Sequence, residues 1–231
     1  MDIDRYRENK NVKNKQIAKQ MVVWLIGLMI IQVGVALFLS LNLGSDPFTL
    51  FTQGIARKLA ISPGTANRLL TFILIGVLFF LDKKQIKIGT FLCIVGAGIV
   101  LDGAMRLFNL LEVSSYPLEI KMIMFMVACV VVCVGFPILK SSDVGVAPND
   151  LLYLALVKRL NKPYMIIRAS MDTIYMILGI SLGGVIGIGT VLCIVLLGPL
   201  MDFFFPKVDC IVSCFLKEQD KTSVQSQNES I

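Results

Sequence analysis

The chain has 231 residues, 56% of them hydrophobic, and a mean hydropathy of +0.78. Soluble domains hold about 45–50% apolar residues, so this composition excludes an ordinary water-soluble globule and predicts a polytopic membrane protein. The formal net charge of +6 does not point to nucleic acid, because the basic residues gather in tails and short loops beside apolar blocks, where they set orientation.

Residues 1–20 are a polar tail with six basic residues, Arg5, Arg7, Lys10, Lys13, Lys15 and Lys19. The apolar block at 21–42 reads as a retained anchor, since it runs into LFLSLNLGSDPF without a small-residue cleavage site. A short apolar block follows at 47–60, then long ones at 64–81 and 88–109. Beyond a linker at 111–118, expected outside the cell, the series recurs at 119–139, 148–161, 164–182 and 186–205. The polar tail at 207–231 ends in KTSVQSQNESI, which reads as disordered. The long blocks suit a hydrocarbon core of ~30 Å. The short blocks, at about 14 residues, are expected to be re-entrant or interfacial helices.

The recurrence is an internal duplication. IKIGTFLCIVGAGIVLD (86–102) and IGIGTVLCIVLLGPLMD (186–202) agree at ten of seventeen positions. Upstream, VGVALFLSLNLGSDP (33–47) aligns with VGFPILKSSDVGVAP (134–148), pairing Gly44 with Gly145 and Pro47 with Pro148. The chain therefore divides into a first membrane repeat at 21–110 and a second at 119–206. If the short block does not cross, each repeat has three spans and the copies are inverted. Charge favours this arrangement: with the N-terminus inside, sixteen basic residues fall inside and four outside, with Arg68 and Arg168 assigned to spans. The expected fold is all-α, with six spans as two inverted three-span repeats, each with a short re-entrant or interfacial helix. Both termini are expected in the cytoplasm.

Ionisable residues inside spans are costly and need partners or a water-filled cavity. Arg68 and Asp102 in the first repeat recur as Arg168 and Asp202 in the second, and each Arg is expected to pair with the Asp of its own repeat. Two such pairs, one toward each face, suit either helix packing or gates around a central site. Asp150 and Asp172 are secondary candidates without repeat counterparts. The loops LNLGSDP and SSDVGVAP bring Asp46, Asp143 and Asn149 beside the short helices and mark a candidate substrate path. The site candidates are thus Asp46, Arg68, Asp102, Asp143, Asn149, Arg168 and Asp202. Gly44, Pro47, Gly89, Thr90 and Gly98, with Gly145, Pro148, Gly189, Thr190 and Gly198, are the expected packing elements of the repeats. In particular, Gly98 and Gly198 are expected to let a neighbouring helix approach on the faces that carry Asp102 and Asp202.

With no histidine, no CxxC, no GxSxG and no Walker loop, neither metal hydrolysis nor ATP chemistry has its parts. No enzyme activity, metal or cofactor is expected. Six cysteines lie in apolar surroundings; Cys129 and Cys133, and by preference over acylation Cys210 and Cys214, read as packing residues.

The set formed by LG-SDP with VG-VAP, Arg68 with Arg168, IGT twice, and Asp102 with Asp202 resembles the bacterial YczE/YyaS/YitT group of integral membrane proteins, closest to its YczE branch. The resemblance implies a multi-pass protein of the bacterial inner membrane and carries no substrate, cofactor or catalytic residue. The expected function is a small secondary transporter or permease with a site between the halves; the alternative is a non-transporting component that assists a partner enzyme or envelope process. The bilayer and an unidentified small molecule are the expected partners, with a homo-oligomer or a membrane partner as a further option.

Overall fold

The computed structural model describes residues 2–61, 63–83, 86–184 and 186–228; the side chains of residues 2–13, 63, 64, 68, 95, 102 and 217–228 are outside the described set. The described residues form eight α-helices: α1 (Asp2–Ser40), α2 (Pro47–Leu59), α3 (Pro63–Asp82), α4 (Ile88–Leu110), α5 (Leu118–Ser141), α6 (Pro148–Leu160), α7 (Tyr164–Ser181) and α8 (Ile188–Asn228). Five are long and apolar enough to cross a membrane, over Asn14–Ser40, Thr65–Asp82, Ile88–Leu110, Leu118–Ser141 and Ile188–Leu216. The sixth expected span, 164–182, forms α7 but is not among the five. It carries Arg168 and Asp172, which face the protein, while Ile166, Ile174, Ile177 and Ile180 face outward. The C-terminal tail, expected to be disordered, continues α8 as far as Asn228, and no glycine or proline after Pro206 interrupts it.

The sequence match between the halves extends to the backbone. Asn42 (φ 54°) and Asp143 (φ 60°) turn the chain left-handed, and two residues later Gly44 (φ 120°) and Gly145 (φ 141°) take conformations that a Cβ disfavours. Pro47 and Pro148 then open α2 and α6 at the first turn, where a missing N–H costs nothing. Each short helix runs 13 residues and ends in a left-handed cap, Ala60 or Asn161. At 1.5 Å per residue such a helix is about 20 Å long, less than the hydrocarbon thickness.

The centre of the bundle is the crossing of α1 and α5, where small residues let the backbones approach. A Cβ on Gly34 would lie 3.2 Å from the Ala128 carbonyl oxygen, and one on Gly135 would lie 3.0 Å from the Ile31 nitrogen. One apolar cluster joins Phe38, Phe125, Cys129, Cys133 and Leu197 of α1, α5 and α8 with Leu41 just beyond α1. A second joins Trp24, Leu28, Leu78, Cys93, Leu139 and Leu151 of α1, α3, α4, α5 and α6. Cys93, Cys129, Cys133 and Cys193 are buried free thiols, whereas Cys210 and Cys214 are exposed on α8 rather than packed within the chain.

The halves interlock reciprocally. The Gly89 amide at the start of α4 donates to the Val144 carbonyl (3.0 Å), and the Gly189 amide at the start of α8 donates to the Leu43 carbonyl (2.8 Å). Each Ile-Gly-Thr element thereby holds the loop that precedes the other half's short helix. Thr190 Oγ1 adds a bond to the Ser45 carbonyl (2.8 Å), and Trp24 Nε1 donates to the Gly145 carbonyl (2.8 Å). At the far ends of the short helices, Arg57 donates to the Gly183 carbonyl (2.7 Å) and Lys158 pairs with Asp82 (3.0 Å). These basic residues occupy matching positions in the two repeats, and each reaches the end of the other half's next helix.

Candidate functional site

The interlocked loops bring the N-terminal ends of α2 and α6 to one cavity of about 180 Å³, beside Arg168 of α7. Asp46, Thr49, Asn149, Asp150 and Arg168 supply its charged and polar rim together with Gln32 of α1. Phe38, Phe48, Phe136, Val132, Leu197 and Met201 supply apolar wall. At a helix N-terminus the first amides lack intrahelical acceptors and the peptide dipoles sum to about half a positive charge, so both helix ends favour negative groups here. In α2 this role falls to the N-cap Asp46, which accepts the Thr49 amide at 3.1 Å and the Thr49 hydroxyl at 2.7 Å. The repeat counterpart of Asp46 is Ala147, which has no side chain to cap α6; the acidic group in the first turn there is Asp150.

Arg168 is 8% exposed, and its surroundings explain how a cation is tolerated there. Its Nε lies 3.3 Å from Asp172 Oδ2 and one terminal nitrogen donates to the Tyr164 hydroxyl at 3.0 Å. The guanidinium sits 5.0 Å from the centroid of the Tyr153 ring, a cation–π contact. Tyr153 in turn donates its hydroxyl to Asp172 Oδ1 at 2.8 Å, which closes the network. Asp150 stands apart: its Oδ1 is 4.0 Å from the nearest Arg168 nitrogen, beyond hydrogen-bonding distance.

Of the candidates named from sequence, the structure brings Asp46, Asn149 and Arg168 together around this cavity. The side chains of Arg68 and Asp102 lie outside the described set. Asp202 is exposed and is not the partner of Arg168; it follows Met201, which is buried, and the step of one residue turns it about 100° from that face. The partner is instead Asp172, four residues along the same helix. Asp143 is exposed and paired with Lys87 at a separate, open cavity of about 360 Å³ that Lys140 and Lys158 also line. Among the packing elements, a Cβ on Gly89 would lie 2.7 Å from the Val144 oxygen and one on Gly198 would lie 3.1 Å from Met165 Cγ. On Gly98 it would meet nothing within 4 Å among the described residues, which show no close approach at that face. Tyr153, Tyr164 and Trp24 were not singled out in the sequence. For the pairing of Arg168 with Asp172 the signal is the Arg-x-x-x-Asp spacing of RASMD, which places both on one helix face.

A bundle of long apolar helices around a small cavity with a charged rim defines a polytopic helical membrane protein. More narrowly, residues 18–206 match a family of unknown function, DUF6198, and the chain belongs to it. Three relatives support a YczE/YyaS-type assignment. An uncharacterized protein of Haemophilus influenzae is 27% identical over 80% of this chain and 83% of its own length. The uncharacterized protein YyaS of Bacillus subtilis is 28% identical over 80% of this chain and 91% of its own. The uncharacterized membrane protein YczE of Bacillus subtilis is 22% identical over 84% and 88%, so the leaning toward the YczE branch is corrected: of these three it is the least similar. No solved structure matches the chain.

Proposed function

We propose that the chain is a small secondary transporter of the bacterial inner membrane, built from two inverted repeats with its substrate site in the cavity at the N-terminal ends of α2 and α6. The observation that carries this reading is the meeting of two helix N-termini, one from each repeat, at a single cavity beside a buried arginine. Transporters built on inverted repeats place discontinuous helices and their dipole ends at a central site, and alternate access by moving one repeat against the other. In this reading α1, α3 and α4 span in the first repeat and α5, α7 and α8 in the second, α7 spanning with its polar side turned inward. Three spans per repeat invert the second copy, and α2 and α6 enter without crossing. Both termini are cytoplasmic on this arrangement, and no catalytic step is assigned.

Access is the test. In a cysteine-depleted variant, single cysteines at Thr49 and Asn149 are labelled with a membrane-impermeant maleimide in right-side-out and in inside-out vesicles. A transporter exposes both positions to each side in turn. Protection of both positions from both sides under all conditions would assign the cavity to a static scaffold instead.

A further inference from the structure

We propose that the cavity at the N-terminal ends of α2 and α6 takes a small monovalent organic cation, a protonated amine; this deepens the transporter reading and rests on it. The first argument is charge. Three carboxylates surround the cavity and its arginine: Asp46, Asp150 and Asp172. Against them stand one guanidinium and two helix N-termini at about half a positive charge each. With all three carboxylates ionised, the site over the described residues carries about one negative charge in excess.

The second argument is where that charge resides. Asp172 is taken up by Arg168 and the Tyr153 hydroxyl, and Asp46 by the Thr49 amide and hydroxyl. Asp150 is the carboxylate held most loosely, by an ion pair to Arg168 without a hydrogen bond. It lines the cavity, no hydrogen bond to it exists among the described residues, and its nearest arginine nitrogen is 4.0 Å away. A carboxylate facing a small, partly apolar cavity calls for a cation within it.

The walls select the kind of cation. Phe38, Phe48 and Phe136 offer ring surfaces that an ammonium group and its alkyl carbons can contact. A hard metal ion requires about six oxygen ligands, and among the described residues no group of three carboxylates, cysteines or histidines is placed to hold one. The volume of about 180 Å³ suits a small occupant.

The test uses the full chain in lipid nanodiscs and reads thermal unfolding in the presence of propylammonium, propionate, propan-1-ol or sodium, with ionic strength matched. The expected result is a saturable rise in Tm with propylammonium alone, since a ligand held only by the folded state stabilises it. Asp150→Asn should weaken the apparent affinity at least about tenfold. Asp46→Asn keeps a competent helix cap while removing one charge, and should weaken it too, even if Asp150→Asn fails to fold. Glu119→Gln, at an exposed position on α5, should leave it unchanged. Stabilisation by propionate, an equal effect of sodium, or an undiminished propylammonium shift in both aspartate variants would overturn the proposal. Propylammonium binding without alternating label access would keep the cation site and refute transport; alternating access with no propylammonium shift would do the reverse.

Discussion

Replacing Arg168 by methionine tests the buried network directly. The guanidinium is about nine-tenths buried, and its partner Asp172 has a side chain only 2% exposed. Removing the cation leaves the Asp172 carboxylate with the Tyr153 hydroxyl as its remaining partner. Breaking a buried pair from one side costs about 3–5 kcal/mol, so Arg168→Met should lose that much. Adding Asp172→Leu removes the stranded charge but orphans the buried Tyr153 hydroxyl, at about 1–3 kcal/mol. The triple variant with Tyr153→Phe relieves this as well and should return to within about 2 kcal/mol of the parent. Reversible unfolding in mixed SDS–detergent micelles measures each step. A loss below about 1 kcal/mol for Arg168→Met, or a triple variant no more stable than the single, would refute the assignment of Asp172 as the partner of Arg168.

The remaining predictions concern packing and orientation. Gly89→Ala would push a methyl group to 2.7 Å from the Val144 carbonyl oxygen and should cost about 1–3 kcal/mol in the same assay. Gly98→Ala, in open space within a helix, should be neutral or stabilise by up to about 1 kcal/mol. Trp24→Phe strands the buried Gly145 carbonyl and should cost about 1–3 kcal/mol, detectable as a lower unfolding midpoint. A reporter fused after Lys84 should read cytoplasmic, and an external signal would contradict the inverted arrangement.

The all-helical outline was legible because it rests on long-wavelength signals. Block lengths near 20 and near 14 residues separate long helices from short ones, and the duplication identifies equivalent loops such as 42–47 and 143–148. Glycine and proline at fixed offsets mark those loops because few other residues accept their backbone angles. The cavity was legible only in part. Asp46, Asn149 and Arg168 follow from loop and helix polarity, but the repeat pointed to Asp202 as the partner of Arg168. The actual partner, Asp172, has Phe72 as its counterpart, and reasoning from the repeat therefore set it second. Tyr153 carries no polarity signal strong enough to stand out in an apolar segment; its role arises from where α6 and α7 meet. Gly98 and Gly198 differ likewise: among the described residues only Gly198 has a neighbour within 4 Å, so equal sequence in two halves does not oblige equal neighbours.

The reciprocal hold between the halves also orders events in time during synthesis. The Ser45 carbonyl acquires its Thr190 hydroxyl only after 145 further residues have been made, an interval of about 7 to 30 s at ribosomal rates of about 5–20 residues per second. The Gly145 carbonyl, by contrast, finds Trp24 already in the membrane when it emerges. The nascent first half must therefore wait in the bilayer with its loop unfastened, while the second half meets a waiting partner as it enters. A ribosome stalled before residue 189 would leave the Leu43 loop without the amide that fastens it.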